Sequence, residues 1–136
     1  NYLMPLIRYK IGDLAIKSNK TSSCKCGRNL PMIDKIIGRD TDILYTPKLK
    51  ILVVHFFTGI FEHYPEIKQF QVHQQKKGGK IDINYIKGIN FTKIILDHIR
   101  NKIYERAEER FPLYFSNVTK IKPTPSGKPQ IITRAY

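Results

Sequence analysis

Three short segments of this 136-residue chain could carry chemistry in combination, and in each of them a charged side chain directly follows a glycine, whose small size lets a ligand approach the backbone. The segments are Gly12-Asp13, Gly38-Arg39 and Gly127-Lys128. A carboxylate accepts hydrogen bonds, a guanidinium offers directed donors and an ammonium is a compact positive charge, so the set suits chemistry on a polar substrate. Taken singly, each segment is better explained as a turn, a surface ion pair or a solvated lysine.

In their order and spacing, these segments resemble the C-terminal part of the adenylate-forming acyl ligases, which include acyl-CoA synthetases, luciferases and peptide-synthetase adenylation domains. The sequence is most similar to the phenylacetate–CoA ligase-like branch and its relatives encoded in capsular polysaccharide clusters. The resemblance covers nearly the whole chain, and a Cys-x-Cys-Gly-Arg element is its most branch-specific part. It rests on Pro5-Leu6-Ile7-Arg8-Tyr9, Gly12-Asp13, Cys24-Lys25-Cys26-Gly27-Arg28-Asn29-Leu30-Pro31, Ile37-Gly38-Arg39, Tyr64-Pro65-Glu66-Ile67 and Ser126-Gly127-Lys128.

The resemblance implies an enzyme that joins a small-molecule carboxylic acid to the α-phosphate of ATP and releases pyrophosphate. It implies that Asp13 accepts hydrogen bonds from the ribose hydroxyls of ATP or AMP and that Arg39 also contacts the ribose. Lys128 matches a catalytic lysine that stabilises the negative charge developing between the carboxylate and the α-phosphoryl oxygens. The implied cofactors are ATP with Mg²⁺ and, where a thioester follows, CoA.

The same resemblance divides the chain at its Gly-Arg segment. Residues 1–40 are expected to be the β-rich end of a large, truncated N-terminal domain, and residues 41–136 a mobile C-terminal lid domain. The hinge between them falls on Asp40, Thr41 and Asp42. Thr41 stands where relatives have an acidic residue or lysine, so the sequence departs from the family pattern at the pivot itself.

Two further features of the family bear on activity. Its Ser/Thr/Gly-rich phosphate loop and its acyl-substrate pocket have no counterpart in these 136 residues, so we expect the isolated chain to be inactive without the missing N-terminal domain. Many relatives have a glycine near the tip of the hairpin that follows the hinge, where it lines the thiol-substrate tunnel. Here the tip reads Pro47-Lys48-Leu49-Lys50, so adenylation is implied more strongly than CoA thioester formation.

Hydrophobic periodicity predicts the elements that must position these residues. Strands are expected over 6–9, 14–17 and 32–37, then a hairpin over 42–54 and a short helix over 56–63 that ends before Pro65. Alternation predicts strands over 68–74, 81–85, 114–121 and 130–134. Helical spacing predicts one apolar stripe formed by Phe91, Ile94, Ile95, Ile99, Ile103 and Ala107, with Asn90 or Thr92 as the cap. The fold class is therefore α+β: a small mixed β-sheet with two or more packed helices, preceded by a β-rich tail.

Lysine and arginine outnumber aspartate and glutamate by 24 to 11, which gives a formal net charge of +13. Taken alone, this charge indicates a polyanionic or phosphate-bearing partner. No apolar run approaches the roughly 20 residues of a membrane span, and no secretion signal opens the sequence. We therefore expect a cytoplasmic protein without a membrane span.

Cys24 and Cys26 are the only cysteines, too few for a disulfide framework. A Cys-x-Cys-Gly turn can supply two thiolates to zinc, but a closed structural site needs four ligands. The prediction is therefore no metal, with Cys24 and Cys26 as the candidates if upstream residues completed a site.

Two other functions stay open from the sequence. A stand-alone basic module that binds nucleic acid is suggested by the charge and by Phe70, Tyr85 and Phe91, since single-strand binders combine cations with stacking rings. The same three residues fit core positions of strands and helix, so we predict no nucleic-acid partner. A degenerate ligase domain kept for protein interaction would account for the unusual hinge and hairpin.

Overall fold

A computed structural model describes residue 3 and residues 7–19, 26–124, 127 and 129–136. The backbone forms two compact units, Asn1–Asp40 and Thr41–Tyr136, here called unit 1 and unit 2. The division falls within a single 3-10 turn, Asp40–Asp42. The assignment of these units to two domains of a longer enzyme stays a prediction.

Unit 1 contains strands β1, Asp13–Lys17, and β2, Ile33–Arg39, paired antiparallel with register shifts after Leu14 and Ile16. The strand predicted over 6–9 is wrong for residues 7–9, because Arg8 has a φ of 54° and breaks the extended backbone; residue 6 lies outside the described residues. The large apolar side chains of this unit are mostly exposed: Ile7, Tyr9, Ile11, Ile16, Leu30, Ile33 and Ile36.

Unit 2 begins with the predicted hairpin, formed by β3, Ile43–Tyr45, and β4, Ile51–Val53. Helix α1, Val54–Phe61, follows β4 directly and buries its aromatic and aliphatic side chains in the core. It ends two residues earlier than predicted, and a turn closed by the Ile67 N–H and the Tyr64 carbonyl (3.0 Å) comes next. The proline at position 65 favours this stop because its ring disfavours helical backbone in the preceding residue.

The sheet of unit 2 has four strands in the order β7, β6, β5, β8. Their bounds are Ile67–Gln74 for β5, Ile81–Lys87 for β6, Leu113–Asn117 for β7 and Ile132–Arg134 for β8. The two central strands are antiparallel, whereas β7 runs parallel to β6 and β8 parallel to β5. The sheet is therefore mixed, as predicted. Strand β7 ends at Asn117 and is therefore shorter than the predicted 114–121. The Val118 N–H still bonds to the Tyr85 carbonyl of β6, but residues 118–124 form no strand.

Helix α2, Lys93–Ala107, buries Ile99 and Ile103 completely. The predicted stripe is wrong at Ile94, whose side chain is 64% exposed, because successive residues turn by about 100° and Ile95 occupies the inward direction. Thr92 is the N-cap residue, but its side chain makes no capping hydrogen bond. The helix ends at Glu108, which takes the left-handed conformation (φ 52°).

Both helices pack with the sheet in one hydrophobic core, which confirms the predicted fold class. Its buried members are Leu44, Leu52, Phe57, Ile60, Phe61, Ile67, Val72, Ile81, Ile83, Tyr85, Ile99, Ile103, Ala107, Phe111, Leu113 and Ile132. Within the described residues, no helix combines the length and the apolar character needed to cross a membrane.

The polar side chain of Gln74, at the end of β5, is completely buried. Its Nε2 donates to the Tyr45 carbonyl (2.8 Å) and to the Gly79 carbonyl (3.0 Å). Its Oε1 accepts from the Tyr45 N–H (3.1 Å) and from the Tyr136 hydroxyl (2.7 Å). These four bonds use the full capacity of the amide and connect the hairpin, the turn after β5 and the segment after β8.

Replacing this amide tests its contribution. Gln74→Leu keeps a similar volume but leaves the Tyr45 N–H and two carbonyls without their partner, so we expect unfolding free energy to fall by about 2–4 kcal/mol. Urea denaturation measures this unfolding free energy. Gln75→Leu is the matched control, because Gln75 is exposed, and its effect should stay within about 0.5 kcal/mol. Equal stability of the two variants would contradict this account of Gln74.

The pKa of Tyr85 predicts how the unfolding free energy responds to alkaline pH. Burial raises the pKa of its hydroxyl above the ordinary 10.0, so the unfolded chain loses this proton at lower pH than the folded chain does. The protonated Tyr85 hydroxyl therefore makes its full contribution to the unfolding free energy below pH 10. This contribution is lost as the pH rises through and beyond that value. Tyr85→Phe keeps a ring to stack on Phe91 and should weaken the decline in unfolding free energy between neutral pH and pH 11, measured by urea titration. An identical decline in both proteins would exclude Tyr85 as a source.

Candidate functional site

Asp13 and Arg39 face each other across the two strands of unit 1. They are directly opposed in the register of β1 and β2, so their side chains leave the sheet on the same face. Both are exposed. Gly12 (φ 79°) turns the chain into β1, and its carbonyl accepts from the Asp40 N–H at 2.8 Å, which closes this end of the ladder. A carboxylate acceptor thus lies beside guanidinium donors, a pairing that can bind a vicinal diol.

The predicted hinge residues form the 3-10 turn at the division between the units. Thr41 is exposed, and its hydroxyl donates to the Asp42 carboxylate at 3.0 Å. Asp40 and Asp42 are half-buried. The short turn leaves few residues over which a change of direction can occur, but rotation about it stays a prediction.

The segment that contains the predicted catalytic lysine is described only in part. Lys128 lies outside the described residues, so its role stays a prediction. Before it, the Gly127 N–H donates to the Thr124 carbonyl at 2.8 Å, and Gly127 has a φ of 78°. This is a tight turn that requires the left-handed conformation a glycine adopts without strain.

A cleft of about 320 Å³ opens beside the residues that follow Lys128. Its apolar wall includes Phe61 and Phe70, whose rings stack at 3.8 Å between centroids, and its charged lining residues are Glu62 and Lys68. The remaining lining residues are Thr58, Ile67, Gln69, Pro129, Gln130 and Ile131. The cleft suits an apolar group with a polar or charged end.

The hairpin tip is clamped against the end of α2. The Lys50 Nζ donates to the Ala107 carbonyl and to the Glu108 carboxylate, both at 3.0 Å. The Lys48 N–H donates to the Glu109 Oε1 at 3.1 Å, while the Glu109 Oε2 is buried without a hydrogen-bond partner among the described residues. Leu49 has a φ of 61°. The tip therefore uses the backbone conformation that favours glycine, although the sequence has leucine there.

Neither cysteine completes a metal site in the part of the chain that the structure describes. Cys26 is exposed, next to Gly27 with its φ of 77°, and Cys24 lies outside the described residues. Among the residues that are described, no three histidine, cysteine, aspartate or glutamate side chains converge. Whether upstream residues add ligands stays a prediction.

The three aromatic residues that suggested nucleic-acid binding are engaged in packing. Phe70 stacks on Phe61, and Tyr85 stacks on Phe91 with 5.4 Å between centroids. Tyr85 is also almost completely buried. These rings therefore contribute to the core of unit 2 and do not form an exposed surface for bases.

Sequence reasoning missed the polar centre of unit 2. Gln74 occupies an inward position of β5, in alternation with Phe70 and Val72, and a polar residue in that register was the available signal. Its partners include the backbone of Tyr45 and the hydroxyl of Tyr136, which are distant from it in the sequence, and no sequence signal pointed to these contacts.

Comparison by sequence identifies no matching protein-family model and no matching curated protein. Solved structures do match. The chain aligns with 2-hydroxyisobutyryl-CoA ligase in the postadenylation state in complex with R3-HIB-AMP, at 12% identity and a TM-score of 0.57. An open conformation of that ligase in complex with 2-HIB-AMP and CoA aligns at 14% identity and a TM-score of 0.50. Both alignments cover 90% of this chain and 27% of the ligase.

A weaker match is to a domain of phenylacetate-coenzyme A ligase from Bacteroides vulgatus ATCC 8482. It has 7% identity and a TM-score of 0.46, and covers 68% of this chain and 95% of that domain. The stronger alignments establish that the chain has an adenylate-forming ligase-like fold. The chain spans about a quarter of the length of the ligase chains it matches.

The clamp on the hairpin tip can be tested with two neighbouring lysines. Lys50→Met removes the ammonium that binds the last carbonyls of α2 and Glu108, so we expect a loss of about 0.5–1 kcal/mol of unfolding free energy, a small value because the pair is solvent-exposed. Lys48→Met is the control, since only the backbone N–H of Lys48 contacts Glu109. Urea denaturation of both variants measures the difference, and equal losses would contradict the clamp.

Proposed function

We propose that this chain is the C-terminal part of an ATP-dependent, AMP-forming ligase that activates a carboxylic acid. The observation that carries the proposal is the opposed pair Asp13 and Arg39 of unit 1, in an adenylate-forming ligase-like fold in which Arg39 comes just before the division between the units. The matched ligase structures contain acyl-AMP compounds, and one contains CoA.

In the proposed reaction, a carboxylate oxygen of the acid attacks the α-phosphorus of ATP. The bond from that phosphorus to the bridging oxygen breaks, and pyrophosphate leaves. Asp13 accepts hydrogen bonds from the two ribose hydroxyls while Arg39 donates to the same sugar. Lys128 stabilises the negative charge that develops between the carboxylate and the α-phosphoryl oxygens. Passage of the acyl group to CoA is the second half of the proposal.

Mg²⁺ belongs to the ATP in this proposal and not to these residues. The described part of the chain brings together no cluster of carboxylates that fits the ion, and Mg²⁺ commonly binds through substrate phosphates with only one or two carboxylates. No step is therefore assigned to a metal held by this chain.

The two units take different parts in the proposal. Unit 1 is the end of a large N-terminal domain, and its exposed isoleucines Ile16, Ile33 and Ile36 support this, because a two-stranded sheet with uncovered apolar side chains is marginal alone. Unit 2 is the mobile lid, and the turn Asp40–Asp42 is its pivot. The proposal also assigns the chain to the phenylacetate–CoA ligase-like branch and its relatives encoded in capsular polysaccharide clusters. It places the protein in the cytoplasm.

Pyrophosphate exchange tests the assignment of the lysine. In the complete enzyme, Lys128→Ala should lower acid-dependent exchange between pyrophosphate and ATP by about 100- to 1,000-fold, because one donor to the developing charge is lost. Lys122→Ala is the control, since Lys122 is an exposed lysine close by in sequence. The 136-residue chain alone should show no exchange.

Two outcomes would overturn the proposal or its catalytic residue. Exchange catalysed by the 136-residue chain alone would show that the activity does not need a preceding domain. Unchanged exchange in Lys128→Ala would remove the role of this lysine and favour a degenerate domain kept for protein interaction.

A further inference from the structure

Among the large apolar side chains that the structure describes in unit 2, the two most exposed lie where β6 is followed by α2. Ile89, between the two elements, is 85% exposed, and Ile94, in the first turn of α2, is 64% exposed. They lie on either side of Phe91, whose ring stacks on the buried Tyr85. Residues 87–94, here called the isoleucine segment, therefore present apolar surface to solvent while their own aromatic residue is engaged with the core.

The backbone of the isoleucine segment is fixed on both sides of Ile89. The Gly88 N–H donates to the Glu66 carbonyl at 2.7 Å, and a Cβ at this glycine would lie 2.9 Å from the Pro65 carbonyl oxygen. Asn90 takes the left-handed conformation (φ 61°), which asparagine adopts more readily than most residues. The exposure of Ile89 therefore results from a defined backbone geometry, and a side chain held in this way meets a partner with a small entropic penalty.

Three exposed lysines accompany these isoleucines. Lys87 and Lys93 belong to the segment, and Lys68 lines a cleft of about 530 Å³ together with Ile89. Among the described residues, none of the three lysines forms an ion pair with a carboxylate. The half-buried Glu66 also lines the cleft, but its Oε2 is buried. The exposed charge of this surface is therefore mainly positive.

The carboxylates of α2 are committed elsewhere. Asp97 is the first acidic residue of the helix and pairs with Arg100, and Glu105 pairs with Lys102. The cations farther along α2 are thus neutralised locally, whereas those at its start are not. This difference sets the isoleucine segment apart from the rest of the helix surface.

Exposed aliphatic side chains among unpaired lysines fit an anionic membrane better than a protein or a nucleic acid. Membrane-surface segments combine cations that bind lipid headgroups with apolar residues that enter the boundary of the acyl chains. Protein interfaces are depleted in lysine and enriched in arginine and aromatic residues. Single-stranded nucleic acid needs rings on which bases stack, and Phe91, the aromatic residue of the segment, packs against the core.

We propose that the isoleucine segment and Lys68 form a surface that docks unit 2 on an anionic lipid membrane. Ile89 and Ile94 enter the boundary between headgroups and acyl chains. Lys68, Lys87 and Lys93 bind the phosphates of the anionic lipids. Such binding is peripheral and reversible, needs no membrane-spanning helix and does not rest on the proposed ligase function.

A tryptophan placed in the segment reports insertion directly, because the chain has no tryptophan of its own. The emission of Ile89→Trp should shift to shorter wavelength when vesicles of phosphatidylcholine with about 30% phosphatidylserine are added, since the ring leaves water. Vesicles of phosphatidylcholine alone should give no shift, and about 1 M salt should reverse it, because charges are then screened within roughly 3 Å. Tyr114→Trp is the matched control: Tyr114 is exposed on β7, beside a lysine that is paired with Asp82, and its emission should stay unchanged.

Vesicle co-sedimentation of the 136-residue chain separates the apolar contact from the electrostatic one. Ile89→Ser should lower partition onto the anionic vesicles about 10-fold through loss of buried apolar surface, and Lys93→Ala about 5-fold through loss of one cation near the headgroups. Lys102→Ala is the control on the same helix, since Lys102 is paired with Glu105, and should change partition less than about 2-fold. Ile36→Ser, which removes an exposed isoleucine of unit 1, should leave partition unchanged.

Four results would exclude this docking surface. The first is an emission of Ile89→Trp that anionic vesicles do not change, and the second is equal partition onto anionic and neutral vesicles, which would remove the lysines. The third is an equal loss of partition in Ile36→Ser and Ile89→Ser, which would make binding a general effect of exposed isoleucines. The fourth is binding of a thymidine oligonucleotide in place of anionic vesicles, weakened by Lys93→Ala but not by Ile89→Ser, which would identify a nucleic acid as the partner.

Discussion

Four hydrogen bonds to the side chain of Gln74 join parts of unit 2 that are far apart in the sequence. Burying an amide among apolar side chains is unfavourable unless every donor and acceptor finds a partner. The hairpin, the turn after β5 and the segment after β8 must therefore adopt one arrangement around it. The amide also fixes the backbone of Tyr45 and the hydroxyl of Tyr136, so one constraint orders both residues. A single buried residue thus joins three segments that are far apart in the sequence.

The charge of +13 is distributed among several local roles. Lys50, Lys80 and Lys102 pair with carboxylates, and Arg106 donates to the Gly59 carbonyl, which joins the two helices. These cations stabilise the fold and need no polyanion. Most of the described aromatic rings pack within or against the core, whereas the rings of Tyr45 and Tyr136 contact each other and Tyr136 is partly exposed. A basic composition therefore indicates little about a partner by itself.

Periodicity predicted the strands and helices of unit 2 because each buries one face, and alternation or helical spacing records which face that is. It failed where backbone conformation or helix rotation decided the outcome. Arg8 breaks the first predicted strand through its positive φ, and Ile94 is apolar yet points to solvent. The sequence identified the residues of the candidate site, but only as residue types in a certain order along the chain. That Asp13 and Arg39 share one face follows from the strand register, which residue types alone did not reveal.

The sequence by itself determined the fold class, the order of elements in unit 2 and the residues to examine, because burial patterns and glycine-flanked charges are local properties of a chain. Only the tertiary structure decided which of those residues meet. Strand register opposed Asp13 to Arg39, a buried amide brought Tyr45 beside Tyr136, and the end of α2 clamped the hairpin through Lys50. The physical reason is that hydrogen bonds and ring contacts across the fold depend on distances between segments, and residue spacing along the chain does not contain those distances.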